Sequence, residues 1–151
     1  MSADHTEAFF HLALAFEKGF AADDWRVLEP QFADDVVWIV ADMPDPIGGV
    51  HRGAKATLGA IAASCDAFDR CFDARAPRIL EGPTPIPGGV HLTWVVTYRR
   101  TGLAPFELRG EEWDFFRDGK LELHRERMEN LADGLEHVRK HDKALLPALK
   151  G

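Results

Sequence analysis

Cysteine is scarce in this sequence of 151 residues, which contains only Cys65 and Cys71. Two cysteines cannot form a disulfide framework, and a structural zinc site needs more ligands at closer spacing. We therefore expect two reduced thiols with a structural role, as in intracellular proteins. The sequence predicts no metal site and no cofactor.

Long apolar segments and an excess of basic residues are also absent. No apolar run approaches the roughly 18 residues of a transmembrane helix, and the N-terminal segment carries acids where a secretory signal carries basic residues. The 18 basic residues are outnumbered by 25 acidic ones, and no basic stripe provides the clustered charge that nucleic-acid binding requires. We expect a cytoplasmic protein that binds neither a membrane nor nucleic acid.

The composition is that of a globular protein. Hydrophobic residues make up 46% of the chain and charged residues 28%, which does not indicate disorder. A chain of this length buries roughly 70% of the surface that its unfolded form exposes, enough for a core without disulfides. Since no repeat or long linker divides the sequence, we predict one domain over residues 1–151.

Helical periodicity is clearest near the N-terminus, where apolar residues recur on one face of a long first helix. These residues are Phe9, Leu12, Ala13, Phe16 and Phe20. Asp24 is placed to cap a short helix from Trp25 to Glu29, and another apolar stripe predicts a helix from about Ala54 to Phe68. The segment after Leu131 is predicted to be mostly helical.

Strand patterns fill most of the remaining chain. Residues 36–40 form a β-branched and aromatic run, and Asp118-Gly119 is a strong hairpin signal between the last two strands. The later strands are predicted at Phe72–Leu80, Val90–Arg99, Phe106–Arg117 and Lys120–Asn130. Helices followed by an antiparallel meander predict an α+β fold, with a cavity where a bent sheet wraps the first helix.

The order of several short motifs resembles the SnoaL-like branch of the nuclear-transport-factor-2-like superfamily. These motifs are Asp-Trp at 24–25, Phe-Ala-Asp-Asp-Val at 32–36, Gly53 before a helix, and Arg-Asp-Gly-Lys at 117–120. The resemblance implies an α+β cone, in which a curved antiparallel sheet wraps a long N-terminal helix around one internal pocket. It also implies a homodimer through the convex face of the sheet, with Val95, Trp113 and Phe115 as candidate contacts.

The resemblance does not determine the reaction, because the superfamily includes ketosteroid isomerase, polyketide cyclases, scytalone dehydratase and limonene epoxide hydrolase. Ketosteroid isomerase uses an aspartate base and an oxyanion hole formed by a tyrosine and a protonated aspartate. The resemblance places these positions at Val40, Phe16 and Glu112, respectively. Since neither valine nor phenylalanine can transfer a proton, we reject steroid isomerisation.

SnoaL-like cyclases often carry a histidine and an acid two residues apart on the last strand, inside the pocket. By this resemblance the corresponding pair is His124 and Glu126. Glu112 and Asp114 add two carboxyl groups on one face of the preceding strand, and directly opposite residues of a hairpin lie within about 5 Å. We predict that Glu126 acts as acid or base with His124 as its partner, while Glu112 or Asp114 tunes their charge.

The predicted pocket wall combines aromatic and apolar residues at alternating strand positions with one acid near a loop. These substrate-binding candidates are Phe16, Trp38, Val40, Asp42, Trp94, Tyr98 and Met128. Alternation alone leaves the orientation of the last strand open, because Leu121 and Leu123 alternate with Glu122, His124 and Glu126. The resemblance implies that the polar residues face the pocket and the leucines the convex face.

We therefore expect a small-molecule pocket protein that performs acid/base chemistry without a cofactor. The reaction would be of the isomerase, cyclase, dehydratase or hydrolase type, on a small apolar oxygenated compound. Two alternatives remain open, a non-catalytic ligand-binding module and a dimerisation domain whose cavity is filled by side chains.

Overall fold

The computed structural model describes residues 4–41, 43 and 47–141, so the predicted pocket residue Asp42 lies outside the described residues. The α-helices are α1 (Thr6–Ala22), α2 (Ala54–Ala67) and α3 (Leu131–His141), with 3₁₀ helices at Trp25–Gln31 and Asp69–Cys71. The strands are β1 (Phe32–Val40), β2 (Gly49–Arg52), β3 (Ala74–Ile86), β4 (Gly89–Arg99), β5 (Phe106–Arg117) and β6 (Lys120–Met128). No helix in this described part of the chain is long and apolar enough to cross a membrane.

The strands form one six-stranded sheet in the order β2-β1-β6-β5-β4-β3. Every neighbouring pair is antiparallel except β1 and β6, which run parallel. This parallel pair joins the strand that comes first in the chain to the strand that comes last. Parallel strands cannot be linked by a hairpin. The predicted α+β fold is confirmed, with a sheet that is antiparallel apart from this one pair.

Helix α1 packs on the sheet through the apolar face that its sequence predicts. Phe9 and Leu12 are buried, and Phe16 and Phe20 pack against the same core. Each fully buried side chain of this size stabilises the fold by about 1.5–3 kcal/mol relative to an exposed one. Asp24 caps the start of the 3₁₀ helix that follows α1, as the sequence predicts. Its side chain accepts a hydrogen bond from the Arg26 backbone N–H at 3.1 Å.

Strand β3 is longer than the sequence predicted. The prediction ended it at Leu80, before Gly82, but pairing with β4 continues to Ile86 across two register shifts. Because β3 lies at the edge of the sheet, prolines are tolerated in it, since their missing N–H groups can face away from the partner strand. The prolines in β3 are Pro77, Pro83 and Pro85.

A register shift in the β5–β6 hairpin determines which side chains face the helices. Phe116 pairs with Leu121 and Phe115 with Leu123, so Glu122 is an extra residue in β6. Leu121 therefore turns inward and is fully buried in the core beneath α1, and the expectation that it faces outward is wrong. Beyond the shift, His124 also lies on the helix side of the sheet.

The opposite face of the sheet carries the candidate dimer contacts. Trp113 and Phe115 are half-buried there, and the guanidinium of Arg125 lies 5.3 Å from the centre of the Trp113 ring. Val95 is only 1% exposed, so it offers almost no surface to a second chain. Its proposed role as a contact is therefore wrong.

Gly110 makes room for an aromatic ring beside the cavity. A Cβ atom at this position would lie 2.4 Å from Cζ2 of Trp94 and 2.8 Å from the Arg127 carbonyl oxygen. Neither distance is compatible with van der Waals contact, and the carbonyl is held in the sheet. Gly110 therefore positions the indole of Trp94 on the helix side of the sheet.

We expect Gly110→Ala to lower the free energy of unfolding by about 1–3 kcal/mol, because the added methyl group overpacks the site. The matched control is Gly59→Ala in α2, where a Cβ would meet nothing within 4 Å. That substitution should stabilise the protein by about 0.5–1 kcal/mol, as alanine does in a helix interior. Urea unfolding of both variants tests this, and an unchanged midpoint for Gly110→Ala would contradict it.

Candidate functional site

A cavity of about 390 Å³ lies between the helices and the sheet. This volume is within the usual range of small-molecule sites. Its lining is mainly apolar and includes every predicted pocket residue in the described part of the chain. These are Phe16, Trp38, Val40, Trp94, Tyr98 and Met128.

The four predicted catalytic residues come together on this cavity, in two residue pairs of the β5–β6 ladder that share one face and are separated by the Trp113–Arg125 pair. Asp114 pairs with His124, and Glu112 pairs with Glu126. Asp114 Oδ1 accepts a hydrogen bond from His124 Nδ1 at 2.6 Å, and both side chains are almost fully buried. This short distance identifies Nδ1 as the protonated nitrogen, because a carboxylate can only accept.

The two glutamates lie on either side of the imidazole. Glu112 Oε2 is 3.3 Å from His124 Nδ1, and Glu126 Oε2 is 3.7 Å from Nε2. The second distance is longer than a hydrogen bond. Each glutamate side chain is 16% exposed, whereas those of His124 and Asp114 are 2% and 0% exposed. Glu112 and Glu126 are therefore the members of the cluster that a molecule in the cavity can reach.

Trp38 of β1 stacks on the imidazole of His124. The ring centres are 3.6 Å apart and the planes differ by 16°. Contact with the face of an indole stabilises a cation, so this stack favours the protonated form of the histidine. It also restricts rotation of the imidazole and keeps both ring nitrogens near carboxyl groups.

The charges around His124 determine its protonation state. Burial alone would lower the pKa of its imidazole, but the charge of Asp114 and its hydrogen bond act in the opposite direction, and Glu112 adds to them. The net effect raises the pKa of His124 well above its usual value. The protonated imidazolium form is therefore favoured.

The surroundings favour the neutral form of Glu112, whereas they favour the charged form of His124. Burial, and then the neighbouring charge of Asp114, raises the pKa of the Glu112 carboxyl well above its usual value, although His124 partly offsets this. A carboxyl group in such surroundings retains its proton under conditions in which an exposed glutamate has lost it. Glu112 can thus donate a hydrogen bond within the cavity.

A second polar network borders the cavity, and the sequence analysis missed most of it. Arg75 of β3 lies 2.7 Å from Glu17 Oε2 and 3.1 Å from Asp69 Oδ2, and Tyr98 donates a hydrogen bond of 2.7 Å to the same Asp69 oxygen. Burial raises the pKa of Asp69 above its usual value. Tyr98 was predicted as a wall residue, but no periodic pattern marks the other members of the network.

Metal binding is geometrically possible at the first cluster. One donor atom each from Glu112, Asp114 and His124 lies within 4.8 Å of the others. Two carboxylates and an imidazole are suitable ligands for several divalent ions. In the present geometry, however, a proton on Nδ1 already joins His124 to Asp114, so an ion at Nδ1 would have to replace that proton.

We expect the pKa of His124 to lie above that of a free histidine and the Asp114→Asn substitution to lower it. The substitution removes the largest influence that raises the pKa and leaves the opposing effect of burial in place. Ring ¹⁵N NMR shifts measured across a pH titration report both pKa values. The control is Glu111→Gln, since Glu111 is on the opposite face of β5 and pairs with Arg127.

The same protonation affects stability. Because the pKa of His124 is raised in the folded protein, its stabilising contribution is complete below about pH 6.5 and is lost as pH rises through the folded-state pKa. The free energy of unfolding should therefore decrease as pH rises above about 6.5, until the pH exceeds the folded-state pKa of His124. A flat stability profile, or a neutral imidazole at pH 7 in the wild type, would contradict this assignment.

No family model and no curated protein matches the sequence, whereas many solved structures match the fold. A nuclear-transport-factor-2-like protein from Burkholderia xenovorans LB400 is 20% identical, with a TM-score of 0.56 over 87% of this chain and 95% of that one. A candidate SnoaL-like polyketide cyclase from Jannaschia sp. CCS1 is 16% identical, with a TM-score of 0.63 over 85% and 88%. A protein with a ketosteroid isomerase-like fold from Catenulispora acidiphila DSM 44928, in complex with trimethylamine, is 16% identical, with a TM-score of 0.55 over 76% of this chain and 82% of that one.

These identities are low, so the likeness concerns the fold. The matches cover 76–87% of this chain. The chain has the α+β cone fold of the SnoaL-like and nuclear-transport-factor-2-like proteins.

Proposed function

We propose that this one-domain protein is a small-molecule enzyme that performs acid/base chemistry without a cofactor. The reaction is of the isomerase, cyclase, dehydratase or hydrolase type, and the substrate is a small, largely apolar, oxygenated compound. One observation supports this most directly: Glu112 and Glu126 face an apolar cavity, directly beside a buried ion pair of Asp114 and His124. Carboxyl groups in such surroundings are suited to moving protons at neutral pH.

In this proposal Glu126 is the catalytic base. Its carboxylate takes a proton from a carbon next to a substrate carbonyl, and Glu112 donates a hydrogen bond to the carbonyl oxygen as negative charge develops there. The proton on Glu126 then returns to the same or a neighbouring carbon, so no net proton is gained or lost. The raised pKa of Glu112 suits it for the donor role.

His124 and Asp114 are positioning residues in this mechanism. His124 Nε2 and Asp114 Oδ2 are enclosed and have no hydrogen-bond partner within the described part of the chain. A substrate in the cavity therefore does not reach either atom without displacing its neighbours. The imidazolium instead places a positive charge 3.7 Å from Glu126 Oε2.

A ligand-binding module without chemistry is the alternative that the same cavity supports. It predicts binding of apolar molecules and no proton transfer. A dimerisation domain with a filled interior is less well supported, because the cavity has a volume of about 390 Å³. Dimerisation itself remains a proposal, and Trp113 and Phe115 are its candidate contacts on the outer face of the sheet.

We expect the protein to catalyse exchange of carbon-bound hydrogen in small cyclic ketones dissolved in D₂O. Glu126→Gln should reduce the rate by a factor of about 10²–10⁴, the usual contribution of a general base. The matched control is Glu122→Gln on the same strand, whose carboxylate pairs with Arg117 at 3.1 Å and does not line the cavity. Mass spectrometry of 2-tetralone and related ketones measures the exchange.

Exchange at the wild-type rate in Glu126→Gln would exclude this residue as the base. No exchange above buffer with any ketone, together with tight binding of apolar molecules, would favour the binding module. Equal losses in Glu122→Gln and Glu126→Gln would indicate a structural effect, which circular dichroism of both variants would reveal.

We also expect the exchange rate to remain within about twofold after dialysis against EDTA. The proposed steps use only carboxyl groups, and the proton on His124 Nδ1 occupies the position that a metal would need. Inductively coupled plasma mass spectrometry of the dialysed protein confirms that metal has been removed. Loss of exchange on dialysis and recovery with Zn²⁺ or Mn²⁺ would show instead that Glu112, Asp114 and His124 are metal ligands.

A further inference from the structure

Apart from Arg78, which is exposed, the charged side chains that line the cavity form two groups with different charge balance. In one group, the guanidinium of Arg75 lies between Glu17 and Asp69, at N–O distances of 2.7 and 3.1 Å. Its positive charge is therefore matched by the protein itself. In the other group, His124 is the cation beside three carboxyl groups, those of Glu112, Asp114 and Glu126.

In the second group, the carboxyl oxygens of Glu112 and Glu126 are available to accept hydrogen bonds from a positively charged ligand. His124 Nδ1 makes its short bond to Asp114 at 2.6 Å, and Glu112 has only a longer contact of 3.3 Å with the same nitrogen. Glu126 lies 3.7 Å from Nε2, beyond hydrogen-bond distance. Each carboxyl group can accept several hydrogen bonds, so both glutamates can take donors from a ligand.

The surroundings of these glutamates strengthen their attraction for a cation. Most of the cavity wall is apolar, and Phe16 and Trp94 contribute aromatic rings to it. A charge is attracted to its partner more strongly in such surroundings than in water, and aromatic rings favour cations over anions. An anion beside the two glutamates would meet two carboxyl groups. Of the two arginines that line the cavity, Arg75 is already paired and Arg78 is exposed.

We infer that the cavity binds a small, largely apolar molecule with a positively charged nitrogen, and that this nitrogen lies beside Glu112 and Glu126. The inference rests on the proposed function in one respect, namely that the cavity is the ligand site. The inference specifies that the substrate is positively charged, whereas the proposed acid/base chemistry does not specify the charge of the substrate. The nitrogen would donate hydrogen bonds to the two carboxyl groups, and the apolar part would lie against the aromatic wall.

Three molecules of matched shape test the inference: phenethylamine, phenethyl alcohol and phenylacetate. Isothermal titration calorimetry with the full chain at pH 7 measures each dissociation constant. We expect the amine to bind at least about tenfold more tightly than the alcohol, since a charge-assisted hydrogen bond in an apolar site is stronger than a neutral one. Phenylacetate should bind most weakly.

Two variants and one control show which carboxyl groups account for the tighter binding of the amine. Glu112→Gln replaces a carboxyl group that favours its neutral form, so it should weaken binding of the amine only slightly. Glu126→Gln should weaken binding of the amine about tenfold and leave binding of the alcohol unchanged. Glu111→Gln changes the net charge equally, but Glu111 pairs with His91 and Arg127 on the other face of the sheet. It should retain the preference for the amine in full.

The inference is overturned if the alcohol or phenylacetate binds as tightly as the amine, or if Glu126→Gln keeps the preference. Equal binding of amine and alcohol, with hydrogen exchange still lost in Glu126→Gln, would overturn this inference and leave the proposed reaction intact. A preference for the amine without any hydrogen exchange would support this inference and overturn the proposed reaction. Binding of none of the three molecules would count against both.

Discussion

A buried hydrogen bond between Asp114 and His124 underlies the arrangement of the whole site. It is 2.6 Å long and joins β5 to β6, while the stack of Trp38 on the imidazole adds β1. Three adjacent strands thus meet at one protonated ring. Two buried charges stabilise each other only as long as both are present, and loss of either partner leaves the other uncompensated.

The next residue pair on the same face of the sheet shows why the positive charge of His124 matters. Glu112 and Glu126 are directly opposite each other in the ladder, and two like charges at such positions repel. Two features relieve the repulsion: the positive ring of His124 close to both, and the raised pKa of Glu112, which favours its neutral form. The environment of the two glutamates, rather than their chemical type, therefore makes this pair of opposite acids tolerable.

Local patterns in the sequence predicted the helices, the hairpin and the grouping of four polar residues, because each of these depends on near neighbours. The face of β6 could not be predicted from alternation, since the extra residue Glu122 changes the phase between Leu121 and His124. The prolines of β3 resembled a turn because their tolerance depends on position at the edge of the sheet. Arg75 and Asp69 were missed because their contact with Glu17 depends on tertiary packing, which no short pattern records.

The two edges of the sheet also restrict how copies of this chain can associate. One edge is β3, in which Pro77, Pro83 and Pro85 interrupt the row of backbone donors, and the other is β2, with only four residues. A new strand added to either edge would find few consecutive hydrogen bonds. Growth of the sheet from one molecule into the next is therefore disfavoured, so self-assembly has to proceed by contact between side chains on its broad surfaces.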